Sequence, residues 1–130
     1  MSEKTIQYWI EIAEYDLQVA KALFDKGHYL YVGFMCHQAI EKMLKSMYVK
    51  HTSTIPPYIH KLDKLIERAG LKTSITEEHN DFIDELTPLN IQARYPAYRE
   101  TIYNLIDKEK AAHIIEKTEE LLQWLKARIL

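Results

Sequence analysis

One cysteine, three glycines and four prolines in 130 residues leave this chain poor in the residues that staple, turn or break a backbone. The lone Cys36 excludes an internal disulfide and suits a reducing cytoplasm. No apolar run approaches the ~20 residues that cross a bilayer. Met1 to Thr5 is polar, with no secretory apolar region behind it. The expected location is therefore cytoplasmic, with no membrane partner. Charge of one sign is lacking too. A net charge of −2 gives no global field for nucleic acid, so any such site must be a local basic patch. Strand patterns, internal repeats, low-complexity tracts and linkers are all missing.

The chain is 47% hydrophobic and 28% charged, a mix that belongs to globular domains. Its length fits one domain, residues 1–130, with a core of its own. Leu, Ile, Ala, Lys and Glu dominate, which favours helices. From Thr5 to Lys26 the apolar residues Ile6, Trp9, Ile10, Ala13, Leu17, Ala20 and Phe24 follow one helical face. Ile12, Tyr15, Val19 and Leu23 form a second stripe, and Gly27 supplies a C-terminal stop. A second helix is expected from His28 to Lys50, with Leu30, Phe34, His37, Ile40, Met43, Leu44 and Met47 on its main face. The segment HTSTIPP, His51 to Pro57, breaks that pattern with two prolines.

A short helix is expected over His60 to Ala69, stopped by Gly70. Thr76 before Glu77 and Glu78 reads as an N-cap with acids in the first turn. The helix that follows carries Phe82, Ile83 and Leu86. Pro88 should kink it or begin a new turn with Thr87 as cap. Asp107 can cap a last helix reaching Arg128, its inner face formed by Ala111, Ile114, Ile115, Thr118, Leu121, Leu122 and Leu125. The expected fold is all-α: a single bundle of four substantial helices with an additional short one.

Within GFMCHQAIEKMLKSMY, Gly33 to Tyr48, a cysteine, a histidine and a glutamine interrupt an apolar stripe. A buried polar group without a partner costs roughly 1–3 kcal/mol, so His37 must either be satisfied in the core or face a ligand. An imidazole can donate, accept or carry charge near neutral pH. Lys45 returns near the histidine's side of the helix, whereas Lys42 is offset from it. Such lysines often form only a solvated flank. Arg94 stands between Ala93 and Tyr95-Pro96, where a loop could aim its guanidinium at phosphate oxygens. Tyr95, Tyr98, Tyr103 and Arg99 add the aromatic surface and charge that stack bases and neutralise phosphates. The competing role for these tyrosines is to bridge a loop to the bundle. His60 with Lys61 opens the short helix, either as packing or as a second wall of a His37 pocket.

No metal is expected. The Glu-x-x-His pairs of di-iron bundles, the H-E-x-x-H motif and zinc spacings are all missing. Cys36 and His37 point about 100° apart on a helix, so a thiolate activated by its neighbour is disfavoured, and Cys36 reads as a small apolar filler. Gly-rich phosphate loops, Ser-centred elbows and Gly-Ser nucleotidyltransferase signatures are lacking, and no cofactor is implied.

Three pieces resemble the HEPN domain family: Tyr8 to Tyr48, then YIHKLDKL (Tyr58 to Leu65), then ARYP (Ala93 to Pro96). They occur in the family's order across most of the chain, and CHQAIEKMLK (Cys36 to Lys45) is the most telling. The resemblance implies an antiparallel four-helix up-and-down bundle with an additional short helix, often a homodimer. It implies nucleotide or substrate binding beside a separate minimal nucleotidyltransferase, in some cases as a toxin–antitoxin pair. Ribonuclease members carry arginine, four to six residues and then histidine. Neither Arg68, Arg94 nor Arg99 is followed by histidine at that spacing.

The resulting expectation is a non-catalytic nucleotide-binding subunit. His37, Arg94 and Tyr95 would face the ligand, with Lys45, His60 and Arg99 in support. One alternative is a divergent HEPN ribonuclease, with RNA as its partner. The other is a helical protein-interaction module.

Overall fold

A computed structural model of the chain describes residues 3–92 and 106–129, leaving aside the side chains of 91 and 92. Among the described residues five helices follow one another: α1 (Glu3–Asp25), α2 (Tyr29–Thr52), α3 (Leu62–Arg68), α4 (Glu77–Gln92) and α5 (Lys108–Ile129). The four long ones form the expected all-α bundle, and α3 is the additional short helix. No described helix is long and apolar enough to cross a membrane.

Local chemistry sets most boundaries. Gly27 ends α1 at φ 81°. The Thr76 hydroxyl accepts from the His79 N–H at 3.1 Å, and the Asp107 carboxylate accepts from the Lys110 N–H at 2.8 Å, so both act as N-caps. The end of α2 differs from expectation. The helix runs past Lys50 to Thr52, and Ser53 closes it at φ 57° with its N–H on the Val49 carbonyl. No proline intervenes before position 56, so nothing forces an earlier stop.

Two further expectations are corrected. The short helix begins at Leu62, which leaves His60 in the extended approach and Lys61 at the N-cap with ψ 116°. In α4 the helix continues through Pro88 to Gln92 rather than restarting. Thr87 is no cap there: its hydroxyl donates to the Ile83 carbonyl at 2.7 Å, one turn back.

The core is centred on α2, which packs against each of the other four helices. Its burial is wider than a single face. Val32, Gly33, Cys36, Ala39, Ser46 and Val49 are buried along with the expected stripe, of which Phe34 alone is only partly covered. At Gly33 the helix passes so close to α4 that a Cβ would stand 2.8 Å from Leu89 Cδ1. By contrast, the second stripe of α1 is only partly covered, with Tyr15 68% exposed and Ile12, Val19 and Leu23 not fully buried.

Candidate functional site

Glu41 is the best-enclosed charged residue of α2, 1% exposed. An isolated carboxylate would be very costly there, so its partners define the local structure. Its Oε2 accepts from Lys45 Nζ at 3.1 Å, one helical turn on. It also receives His60 Nδ1 at 2.9 Å, from the chain leading into α3. The other oxygen, Oε1, lies 3.9 Å from His37 Nδ1, beyond hydrogen-bond length. One carboxylate therefore gathers two histidines and a lysine from two segments.

Lys45, anticipated on a ligand-facing flank, is 6% exposed and holds Glu41. Its ammonium also stands 5.6 Å from the centre of the Trp9 ring of α1, a favourable place for a cation. His60 is different. Its Nδ1 hydrogen goes to the carboxylate, so Nε2 is left for another partner. The side chain is 40% exposed, and its ring meets Tyr58 edge-on at 5.1 Å.

Both histidines border a cleft of about 530 Å³ between α2, α3 and α4. His37 lines it from α2, Thr87 and Asn90 from α4, and Tyr58 to Lys61 from the approach to α3. Lys61, Lys64 and Arg68 recur at helical spacing and complete the α3 side. Among the described residues no carboxylate pairs with any of the three. The acids of the same segment, Asp63 and Glu67, line a separate depression with Lys72 and Asn80. The segment therefore sorts its charges, with cations toward the cleft and acids away. Such a wall attracts anions, and the wide-open Tyr58 ring offers a stacking surface beside it.

The α4 wall is organised by a chain of side-chain hydrogen bonds. Lys42 Nζ donates to Asp16 Oδ2 at 3.1 Å and to Gln38 Oε1 at 3.3 Å. Gln38 Nε2 then donates to Asn90 Oδ1 at 2.9 Å. Asn90 is 5% exposed at the cleft.

Of the sequence candidates, the structure brings His37 and His60 to this cleft and places Lys45 behind it. Arg94, Tyr95 and Arg99 lie outside the described residues. Glu41, Lys64, Arg68, Thr87 and Asn90 are site residues that sequence reasoning does not single out, and it names Lys61 only beside His60. The three-and-four spacing of Lys61, Lys64 and Arg68 was a usable signal. Asn90 had none, because its partner Gln38 is 52 positions away.

Cys36 is fully buried on α2, and burial pushes its thiol up to about 12, with the Thr118 side chain beside it pulling the other way. That is a packing cysteine, not a nucleophile. Among the described residues no group of three or more His, Cys, Asp or Glu is placed to share a metal ion.

Comparison with known proteins agrees with this architecture. TT1696 from Thermus thermophilus superposes with a TM-score of 0.81 at 18% identity, covering 96% of this chain and 98% of its own. ST0689, described as an archaeal HEPN homologue, gives 0.68 at 22% identity over 100% of both chains. At such identities the likeness concerns the fold alone. Curated proteins gave no match in sequence. The model of the HEPN domain, however, matches residues 6–128, nearly the whole length. The chain belongs to the HEPN domain family.

Proposed function

We propose that the cleft between α2, α3 and α4 binds a nucleotide through its phosphates, and that the chain acts as the binding subunit beside a separate nucleotidyltransferase. The observation that carries this reading is the row Lys61, Lys64 and Arg68 on one side of the cleft, without ion-pair partners among the described residues. Cations left unpaired at a concave surface are where phosphate oxygens gain most. His60 and Tyr58 stand at the same opening, and Arg94, Tyr95 and Arg99 remain further candidates. The chain supplies no nucleotidyltransferase signature of its own. The half-covered stripe of α1 around Tyr15 supports a homodimer.

Added ATP, GTP, CTP or UTP should raise the melting temperature, because a ligand that binds only the folded state stabilises it. The double charge reversal Lys64→Glu, Arg68→Glu should leave the unliganded melting temperature nearly unchanged, both residues being exposed. The same variant should abolish the nucleotide shift. A shift that survives the reversal, or no shift with any of the four, overturns the reading.

A ribonuclease reading draws on one observation: a buried carboxylate orients the exposed imidazole of His60, as in acid–base pairs. It requires cleavage of single-stranded RNA that is lost in His60→Ala. RNA left intact by the unaltered protein rules it out.

A further inference from the structure

The hydrogen-bond chain behind the α4 wall has a direction, and that direction ends at the cleft. An ammonium can only donate, so the Gln38 atom 3.3 Å from Lys42 Nζ must be the carbonyl oxygen. The alternative orientation would set the Gln38 NH2 against the ammonium. With Oε1 committed, Nε2 is the atom 2.9 Å from Asn90, and it must meet an acceptor. Asn90 therefore turns Oδ1 inward and keeps its NH2 for the cleft it lines. Amide orientations are usually ambiguous, but here the lysine removes the ambiguity at both steps.

We infer that Asn90 reads the base of the nucleotide, presenting an NH2 that accepts keto-bearing bases and disfavours amino-bearing ones. This rests on the nucleotide reading of the cleft. The cations line the α3 side, so the phosphates go there, and the base falls toward the α4 wall. Asn90 is nearly enclosed, so the group that reaches it is the one protruding furthest from the base edge, the exocyclic substituent. A keto oxygen accepts from the NH2. An amino group in the same place sets donor against donor and leaves both unsatisfied. Gln38 and Lys42 do not touch the ligand; they are positioning residues.

The polarity of the hydrogen-bond chain can be reversed without touching the cleft. In Gln38→Glu the carboxylate still accepts from Lys42, but it now also accepts from Asn90, whose amide turns over and offers Oδ1 to the ligand. Isothermal titration with the near-isosteric pairs UTP/CTP and ITP/ATP reads the effect as a ratio. The unaltered protein should favour UTP and ITP by on the order of tenfold. Gln38→Glu should invert that preference while still binding triphosphate. Asn90→Asp, which has no NH2 and serves as a second variant if Gln38→Glu folds poorly, should lose the preference for keto bases. Binding without discrimination, or discrimination unmoved by either variant, overturns the role of Asn90 and leaves the nucleotide reading standing. No binding of any triphosphate overturns both.

Discussion

Replacing one member of the buried Glu41–Lys45 pair should destabilise the protein severely, whereas replacing both should not. Glu41 is 1% exposed and the Lys45 side chain 7%, with 3.1 Å between their charged atoms. Lys45→Met would leave the carboxylate one hydrogen bond among the described residues, from His60 Nδ1 at 2.9 Å, with His37 Nδ1 at 3.9 Å. Glu41→Leu would strand the ammonium against the Trp9 ring 5.6 Å away. Breaking a buried pair from one side costs about 3–5 kcal/mol, while an apolar replacement of both partners is often near neutral. Domains carry only about 5–15 kcal/mol of net stability, so each single variant should lose a large part of it. At ~3 °C or more per kcal/mol for a chain of this size, the melting temperature should fall by roughly 10 °C. Urea unfolding of the two single variants and of Glu41→Leu, Lys45→Met gives the double-mutant cycle. Single losses under about 1 kcal/mol, or strictly additive losses in the double variant, would refute the idea that the pair is desolvated and mutually dependent.

Cys36 and Gly70 are two further test sites. Burial lifts the Cys36 thiol from 9.0 to about 12, so the folded state holds its proton where the unfolded state releases it. Its contribution is present below pH 9 and is lost as pH rises toward 12. Cys36→Ala should therefore flatten the alkaline decline in stability, and native Cys36 should resist alkylation until the protein unfolds. At Gly70, φ is 76° and a Cβ would stand 2.6 Å from the His51 ring. Gly70→Ala should cost about 1–2 kcal/mol from backbone strain, plus the clash. Adding His51→Ala should recover only the part due to the clash, which thermal denaturation of the two variants separates.

Much of the fold was legible because helix signals are local. The stripe from Ile6 to Phe24, the caps Thr76 and Asp107 and the stop at Gly27 depend on residues within a turn of one another, and each stands as expected. What failed were inferences that needed to know how many neighbours a helix has. Assigning α2 one inner face set Lys45 beside His37 toward a ligand without its partner Glu41, yet a helix surrounded on all sides buries its polar residues too, provided they pair. The start of α3 is hard to place from sequence because seven residues hold under two turns of periodicity. Pro88 reads as a kink or a restart because its missing N–H costs a hydrogen bond; the buried Phe82, Ile83, Leu86 and Leu89 flank the proline and the helix runs on to Gln92 without restarting. The candidate site was legible only as His37 and His60. That Glu41 joins them, and that Gln38 meets Asn90, are facts of tertiary contact with no local trace.

The central position of α2 ties binding to the integrity of the whole domain. Every other described helix packs against it, so none can swing away without stripping cover from α2. The cleft is consequently no hinged mouth with an open and a closed setting. It is a fixed indentation whose walls are the bundle itself, and a ligand seated there would strengthen the molecule from end to end instead of tightening one corner.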